Sequence, residues 1–251
     1  MKTLIEEILT NDLIRINYNV DYDDFINNEE ALYETIVQLD RDKECIGWGR
    51  SLSPLKPILN FFNIKQSSNF YIEKELLWYE SQNLSVDDIQ PYAKLWGNVC
   101  SSEGKVNSNY GWVIFSKENG SQYENVKNLL LRRPQSKQGQ MIYTRPSMHK
   151  DAFTDGMKDF MCCSYVQCFI RNNKLLYIIH QRSCDFIYGF FNDFAWHCYV
   201  YHKLYRDLLE THKDLEVSNI LYLCDTLHIY EKHYALIRDL ASHVLEVCKD
   251  G

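Results

Sequence analysis

Two apolar runs flank Asn172-Asn173: MCCSYVQCFI (161–170) and KLLYIIHQRS (from Lys174). Both have strand character, and an Asn-Asn pair suits a tight turn, so together they read as a β-hairpin. Any fold for this chain must supply a sheet to receive that hairpin. The rest of the pattern is largely helical. Residues 1–40 alternate apolar and acidic groups around a DYDD break, as in LIEEILTNDLI and EEALYETIVQL. FYIEKELLWYE (70–80), 118–132, the stretch from Asn192 to Leu209 and the closing HYALIRDLASHVLEVC also carry helical spacing. Between them, Gly47, Gly49, Pro54 and Pro57 predict loop and short strand over 45–68. NSNYGW (107–112) predicts a turn, while MIYT, ended by Arg145-Pro146, and Leu221–Leu223 predict short strands. The sum is an α+β fold with a substantial sheet.

Length and charge narrow the function. At 251 residues the chain can bury one sizeable core, so residues 1–251 are expected to form a single domain with 1–40 as its helical N-terminal segment. A net charge of −7 opposes a nucleic-acid backbone as partner, though a local cationic seat can still hold a small anion. The N-terminus has acids within its apolar pattern and does not read as a signal peptide. Runs such as LLYII are too short to span a membrane. Nine cysteines without a regular framework suit a reducing, cytoplasmic setting. Neither CxxC nor HExxH is present, so no metal is expected; His197 and His202, five apart among aromatics, are weak candidates.

One segment departs from both bland loop and bland strand. QRSCDFIYGFFNDFAW (181–196) places an arginine, two carboxylates, a cysteine and an asparagine between apolar residues, as a sheet edge or cleft would. Elsewhere, Cys162 and Cys163 are adjacent in a strand and must face opposite ways, so at most one enters a given cleft. A reactive thiol also needs nearby positive charge, for which Arg182, Lys137, Arg145 and Arg132-Arg133 are candidates. Glu75 shares a helix face with Tyr71 and Trp78, aromatic company for a carboxylate.

ELLWY, SNYGW, MIYTRPSM, DFMC…VQ, QRSCD…G…ND and LHIY occur in an order that resembles the thymidylate synthase superfamily, nearest its deoxycytidylate/cytidylate 5-hydroxymethylase branch. The resemblance covers roughly residues 40–235. It implies a large mixed twisted sheet with surrounding helices, paired back to back with a second copy in a homodimer. It also implies 5,10-methylenetetrahydrofolate as co-substrate. By the same resemblance Cys162, with Gln167 five residues on, is the nucleophile. Arg182 and Ser183 hold phosphate, and His228 and Tyr230 hold the sugar hydroxyl. Tyr110 serves proton removal from the pyrimidine, and Glu75 organises water and proton movement. Asp185 binds the pterin, with Trp78 and Gly189 beside the cofactor. The family's Ser-Arg-Arg, which reaches the partner's phosphate across the dimer, is here Ser136-Lys137-Gln138, with both forks and one charge lost. The tail beyond His233 is also shorter than the family's.

Base choice turns on Asp193. Uracil-using members carry asparagine four residues beyond the glycine; counted from Gly189, that position is Asp193, with Asn192 one place early. A carboxylate accepts from cytosine's N4 amino group and, when protonated, shares a proton with N3. The implied reaction is attack of Cys162 at C6, one-carbon transfer to C5, and water addition positioned by Glu75. The altered arginine pair tilts the expected substrate narrowly to CMP over dCMP. The alternatives are a dCMP hydroxymethylase of bacteriophage DNA modification, a pyrimidine nucleotide methylase and a non-catalytic nucleotide-binding homodimer.

Overall fold

Asn172 and Asn173 both adopt positive φ, 50° and 59°, the turn geometry that matches the twist of a tight hairpin. The computed structural model describes residues 3–5, 35–50, 69–218 and 220–247. Its sheet contains β1 (Glu44–Arg50), β2 (Gln140–Ile142), β3 (Cys163–Arg171), β4 (Lys174–Gln181), β5 (Cys184–Asp185) and β6 (Ile220–His228). The order is β1-β6-β4-β3-β2. β4 and β6 run parallel, whereas β1–β6, β3–β4 and β2–β3 are antiparallel, giving a mixed sheet. β5 resumes the line of β4 along β6: Gln181 pairs with Cys224 and Cys184 with Leu227, leaving Arg182-Ser183 as an interruption. Within QRSCD, Gln181 is flanked by β3 and β6, whereas Cys184 and Asp185 pair with β6 alone, so the sheet opens along this segment.

Helices are α1 (Asn69–Ser81), α2 (Leu95–Val99), α3 (Tyr110–Phe115), α4 (Gln122–Arg132), α5 (Met148–Asp155), α6 (Gly189–Leu209) and α7 (Tyr234–Val247), the last preceded by a 3-10 turn at Glu231–His233. Residues 35–42 are also helical. Most of the expected 1–40 segment, the 51–68 loop and residues 248–251 lie outside the described residues.

Several boundaries differ from the sequence expectation, each for a local reason. The NSNYGW turn leads straight into α3, because Asn109 Oδ1 accepts the Trp112 N–H at 2.8 Å and caps the helix. MIYT pairs only through Ile142: a bulge at Ser164 draws the N–H groups of both Tyr143 and Thr144 onto one carbonyl, at 3.0 and 3.2 Å. α6 starts three residues before Asn192, and β6 is nine residues long rather than three.

One sheet face is core. Val166, Cys168 and Ile170 of β3, Tyr177 and Ile179 of β4, and Ile220, Tyr222 and Cys224 of β6 are buried, as period-two alternation requires. α6 packs into that core with Phe190, Trp196, Val200 and Leu204 all essentially inaccessible. The opposite face is apolar but only half-covered, carrying Tyr165, Phe169, Leu176, Ile178, Leu221 and Leu223.

α1 and α3 touch through backbone. A Cβ on Gly111 would lie 1.8 Å from the Tyr79 carbonyl oxygen, so only glycine permits this approach. The approach stacks Tyr79 on Tyr110, centroids 5.3 Å apart. Gly111→Ala is expected to destabilise the fold by about 3 kcal/mol or more through overpacking, measured by urea unfolding. A loss below half a kcal/mol would show that the helices separate freely.

Candidate active site

Cys162 and Arg182 form one unit. Arg182 donates from Nε to Met161 O at 2.9 Å and from Nη2 to Phe160 O at 2.7 Å, and its guanidinium stacks on Phe160. Its backbone N–H bonds Cys162 O at 2.9 Å, and Nη2 lies 3.9 Å from Cys162 Sγ. Burial pushes the Cys162 thiol up to about 12; the negative field of Asp193 adds to that, and Arg182 opposes it. Cys163, the first residue of β3, is wholly buried, and its thiol too lies in the field of Asp193.

Two buried carboxylates follow, Asp193 in electrostatic reach of Cys162 and Glu75 in reach of Asp193. Asp193, on the first turns of α6, accepts from Gln181 Nε2 at 2.8 Å. Burial raises its carboxyl to about 7, against the pull of hydrogen bonds from Gln181 and Tyr110. Glu75 of α1 is 4% exposed and accepts the Tyr71 hydroxyl at 2.7 Å, which in turn accepts Trp96 Nε1 at 3.0 Å. Burial raises Glu75 to about 8, with the Tyr71 hydrogen bond opposing and Asp193 adding to the rise. Both groups thus hold protons far longer than solvated carboxylates do. Tyr110, 3% exposed, lies in the fields of Asp193 and Cys162.

Around them, Ser183 Oγ lies 3.4 Å from His228 Nδ1, and the His228 and Tyr230 rings meet edge to face at 5.4 Å. Tyr230 is exposed, with Lys232 over its ring. The Asp185 carboxylate accepts the backbone N–H groups of Ile187, Tyr188 and Gly189 at 3.1–3.4 Å, capping the start of α6. A carboxylate offers about four acceptor positions, so one remains for a ligand N–H. A Cβ on Gly189 would sit 3.3 Å from Asp185 Cβ, so glycine keeps that cap tight. Asn192 Oδ1 is buried without a partner.

Three expected residues lie elsewhere in this chain. Gln167 Nε2 donates to Lys137 O at 2.8 Å. That contact is five residues along β3 from Cys162, roughly 17 Å at about 3.4 Å per residue. Lys137 and Gln138 are exposed there, beside a cavity of about 1070 Å³ that also borders Arg133, Asn172 and Lys213. Trp78 is 2% exposed and donates to Ser85 O, so it forms the wall behind Glu75 rather than a surface. Among the described residues, no cluster of three or more His, Cys, Asp or Glu could hold a metal ion, and no helix is long and apolar enough to cross a membrane. His197 is core, its Nδ1 3.3 Å from the Tyr177 hydroxyl.

The sequence reading missed Gln181, Tyr222 and Tyr79 as neighbours of the two carboxylates. Gln181 is polar at an inward position of an apolar strand, the one signal that marked it.

The thymidylate synthase family model matches residues 56–246. This chain belongs to the thymidylate synthase family. The deoxycytidylate 5-hydroxymethyltransferase of Enterobacteria phage T4 is 44% identical over 170 residues, covering 66% of this chain and 69% of that protein; the phage T6 protein of the same name matches equally. Thymidylate synthase of Buchnera aphidicola from Acyrthosiphon pisum is 24% identical over 65% of this chain and 61% of its own. The solved structure of thermostable thymidylate synthase A from Bacillus subtilis has the same fold, with a TM-score of 0.56 at 18% identity, covering 79% of this chain and 70% of that one.

Two consequences are measurable. A carboxyl raised from 3.8 to about 7 binds a proton in the folded state that the unfolded chain has released, so stability falls as pH rises from about 4 to 7. Asp193→Asn removes that penalty and is expected to stabilise the fold by on the order of 3 kcal/mol at pH 8 and by little at pH 4, read by thermal unfolding. A pH-independent difference would contradict the burial argument. Iodoacetamide is expected to alkylate Cys162 slowly at pH 7 and faster through pH 10, followed by mass spectrometry; full reactivity at pH 7 would mean a pre-formed thiolate.

Proposed function

We propose that this chain is a deoxycytidylate 5-hydroxymethyltransferase, converting dCMP to its 5-hydroxymethyl derivative. The observation that carries the reading is Asp193: a carboxyl poised near neutrality, within the electrostatic reach of Cys162 and Tyr110. Such a group can accept from the cytosine amino group with one oxygen and offer a proton to N3 with the other. An asparagine there would instead complement uracil. The lean toward CMP rested on Lys137-Gln138, whereas the 44%-identical relatives bear deoxycytidylate in their names, and that similarity favours dCMP.

In this reading Arg182 keeps Nη1 for the nucleotide phosphate, with Ser183 beside it, while His228 and Tyr230 hold the sugar. Cys162 loses its proton as it adds to C6 of the base. Asp193 donates toward N3, which makes C6 electrophilic to the thiolate and leaves a neutral enamine-type adduct whose C5 is nucleophilic. When bound, 5,10-methylenetetrahydrofolate supplies the electrophilic one-carbon unit; the remaining acceptor position of Asp185, beside the Gly189 turn, fits an N–H of its pterin. Tyr110 takes part in removal of the C5 proton. Glu75, protonated at neutral pH, first serves as a donor. Once ionised, it accepts a proton from the water that adds to the new carbon. Departure of Cys162 frees the product. Lys137 and Gln138 act on a partner's phosphate in a homodimer formed through the half-covered apolar sheet face.

The test is a competition among dCMP, CMP, dUMP and UMP with tetrahydrofolate and formaldehyde, with products weighed. The expected result is a gain of CH₂O on dCMP, abolished by Cys162→Ser, and a shift toward uracil in Asp193→Asn. A gain of CH₂ would make the protein a methylase; CMP as sole substrate would restore the ribonucleotide reading; no product would leave a binding protein.

A further inference from the structure

Gln181 is 1% exposed, and its amide nitrogen donates to Asp193 Oδ2 and to the Tyr222 hydroxyl, both at 2.8 Å. The Tyr222 hydroxyl passes its own hydrogen to Cys184 Sγ at 3.4 Å. The amide oxygen Oε1 is buried and has no partner. Turning the amide over would let Oε1 accept from Tyr222, yet both N–H groups would then face the place where Oε1 now finds nothing. Orphaned buried N–H groups are rarer than under-satisfied carbonyls, so the donor orientation is the one this pocket selects.

We propose that Gln181 is a positioning residue that decides which oxygen of Asp193 can carry a proton. An amide N–H can only donate, so Oδ2 is kept an acceptor and a proton on Asp193 must reside on Oδ1. The Tyr110 hydroxyl also reaches this carboxyl, but a hydroxyl rotates and accepts as readily as it donates. Resting on the cytosine reading above, this gives the base one donor oxygen and one acceptor oxygen in fixed places. Tyr222 and Cys184 brace the amide from behind, so the arrangement does not depend on substrate for its orientation.

Other titratable groups act on the same carboxyl and must be separated from Gln181. Asp185 raises it from the β5 side and Glu75 is coupled to it from α1. Tyr71 and Tyr79 of α1, Tyr222 of β6 and the thiols of Cys162, Cys163 and Cys184 feel its charge. None of these touches Oδ2 as Gln181 does, so the amide's own resonance is a direct reporter.

The experiment is an NMR titration of the full chain carrying ¹³C-carboxyl aspartate and ¹⁵N-amide glutamine, on wild type and Gln181→Met. In the wild type the Gln181 side-chain N–H signals are expected to move with the same midpoint as the Asp193 carboxyl, near 7. In Gln181→Met that midpoint should rise by about one pH unit, because the ionised form has lost a donor. The preference for dCMP over dUMP should fall about tenfold, as expected for one hydrogen bond, with the loss in kcat and the pH limb displaced upward by the same unit. Amide signals that stay flat from pH 5 to 9 in the wild type overturn the proposal even if the variant does not fold. An unmoved Asp193 midpoint in a folded variant does so as well. If the titrations behave as expected while wild type makes no product from dCMP, the assignment of Gln181 is supported and the proposed function falls.

Discussion

The grip of Arg182 on the carbonyls of Phe160 and Met161 is the contact on which the site depends. It closes the approach to β3 against the interruption between β4 and β5, and so sets Cys162 where the sheet opens. A lysine would not serve, since two carbonyls and an aromatic face are met at once only by a planar fork. Because Arg182 already has these partners, its charge is shared rather than aimed wholly at sulfur. This accounts for a thiol that remains high despite a guanidinium 3.9 Å away. The cysteine is held in place before it is made reactive.

Desolvation does the rest of the tuning. Asp193 and Glu75 are raised chiefly by burial, and each hydrogen bond they accept pulls the other way. Each receives two donors, Asp193 from Gln181 and Tyr110 and Glu75 from Tyr71 and Tyr79, and the charge of Asp193 adds to the rise at Glu75. Two acids of different strength within one cleft can exchange protons with a base and with water in separate steps, without requiring a cation.

Much of this was legible in the chain itself. The Asn-Asn hairpin and the helical face shared by Tyr71 and Glu75 follow from short-range periodicity. These came through intact. What was not legible depends on chain segments far apart. MIYT lost its last pairing residues to a bulge at Ser164, a feature of the partner strand. QRSCD reads as a sheet edge or cleft because it is polar, and β5 does pair on one side only, but that this opening lies beyond an inner strand was not legible. Gln181 carried a weak signal, one polar residue at an inward strand position. Its meaning required Asp193, twelve residues on and past a strand and a turn, to be brought to 2.8 Å.

The placement of Lys137 and Gln138 ties chemistry to assembly. Along β3 they sit roughly 17 Å from the cysteine of their own chain, beyond the reach of any side chain. If they touch a nucleotide phosphate, it belongs to another copy. The half-covered face bearing Tyr165, Phe169, Leu176 and Ile178 is a suitable surface for that copy, since one apolar sheet face rests on helices and the other is only half-covered among the described residues. The substitution of lysine and glutamine would then weaken a contact made across that interface. Arg182 and Ser183, the phosphate ligands proposed within one chain, would be untouched. Under the proposed function, phosphate affinity and base choice would be separable, the first divided between two copies and the second set within one by Asp193 and the amide behind it.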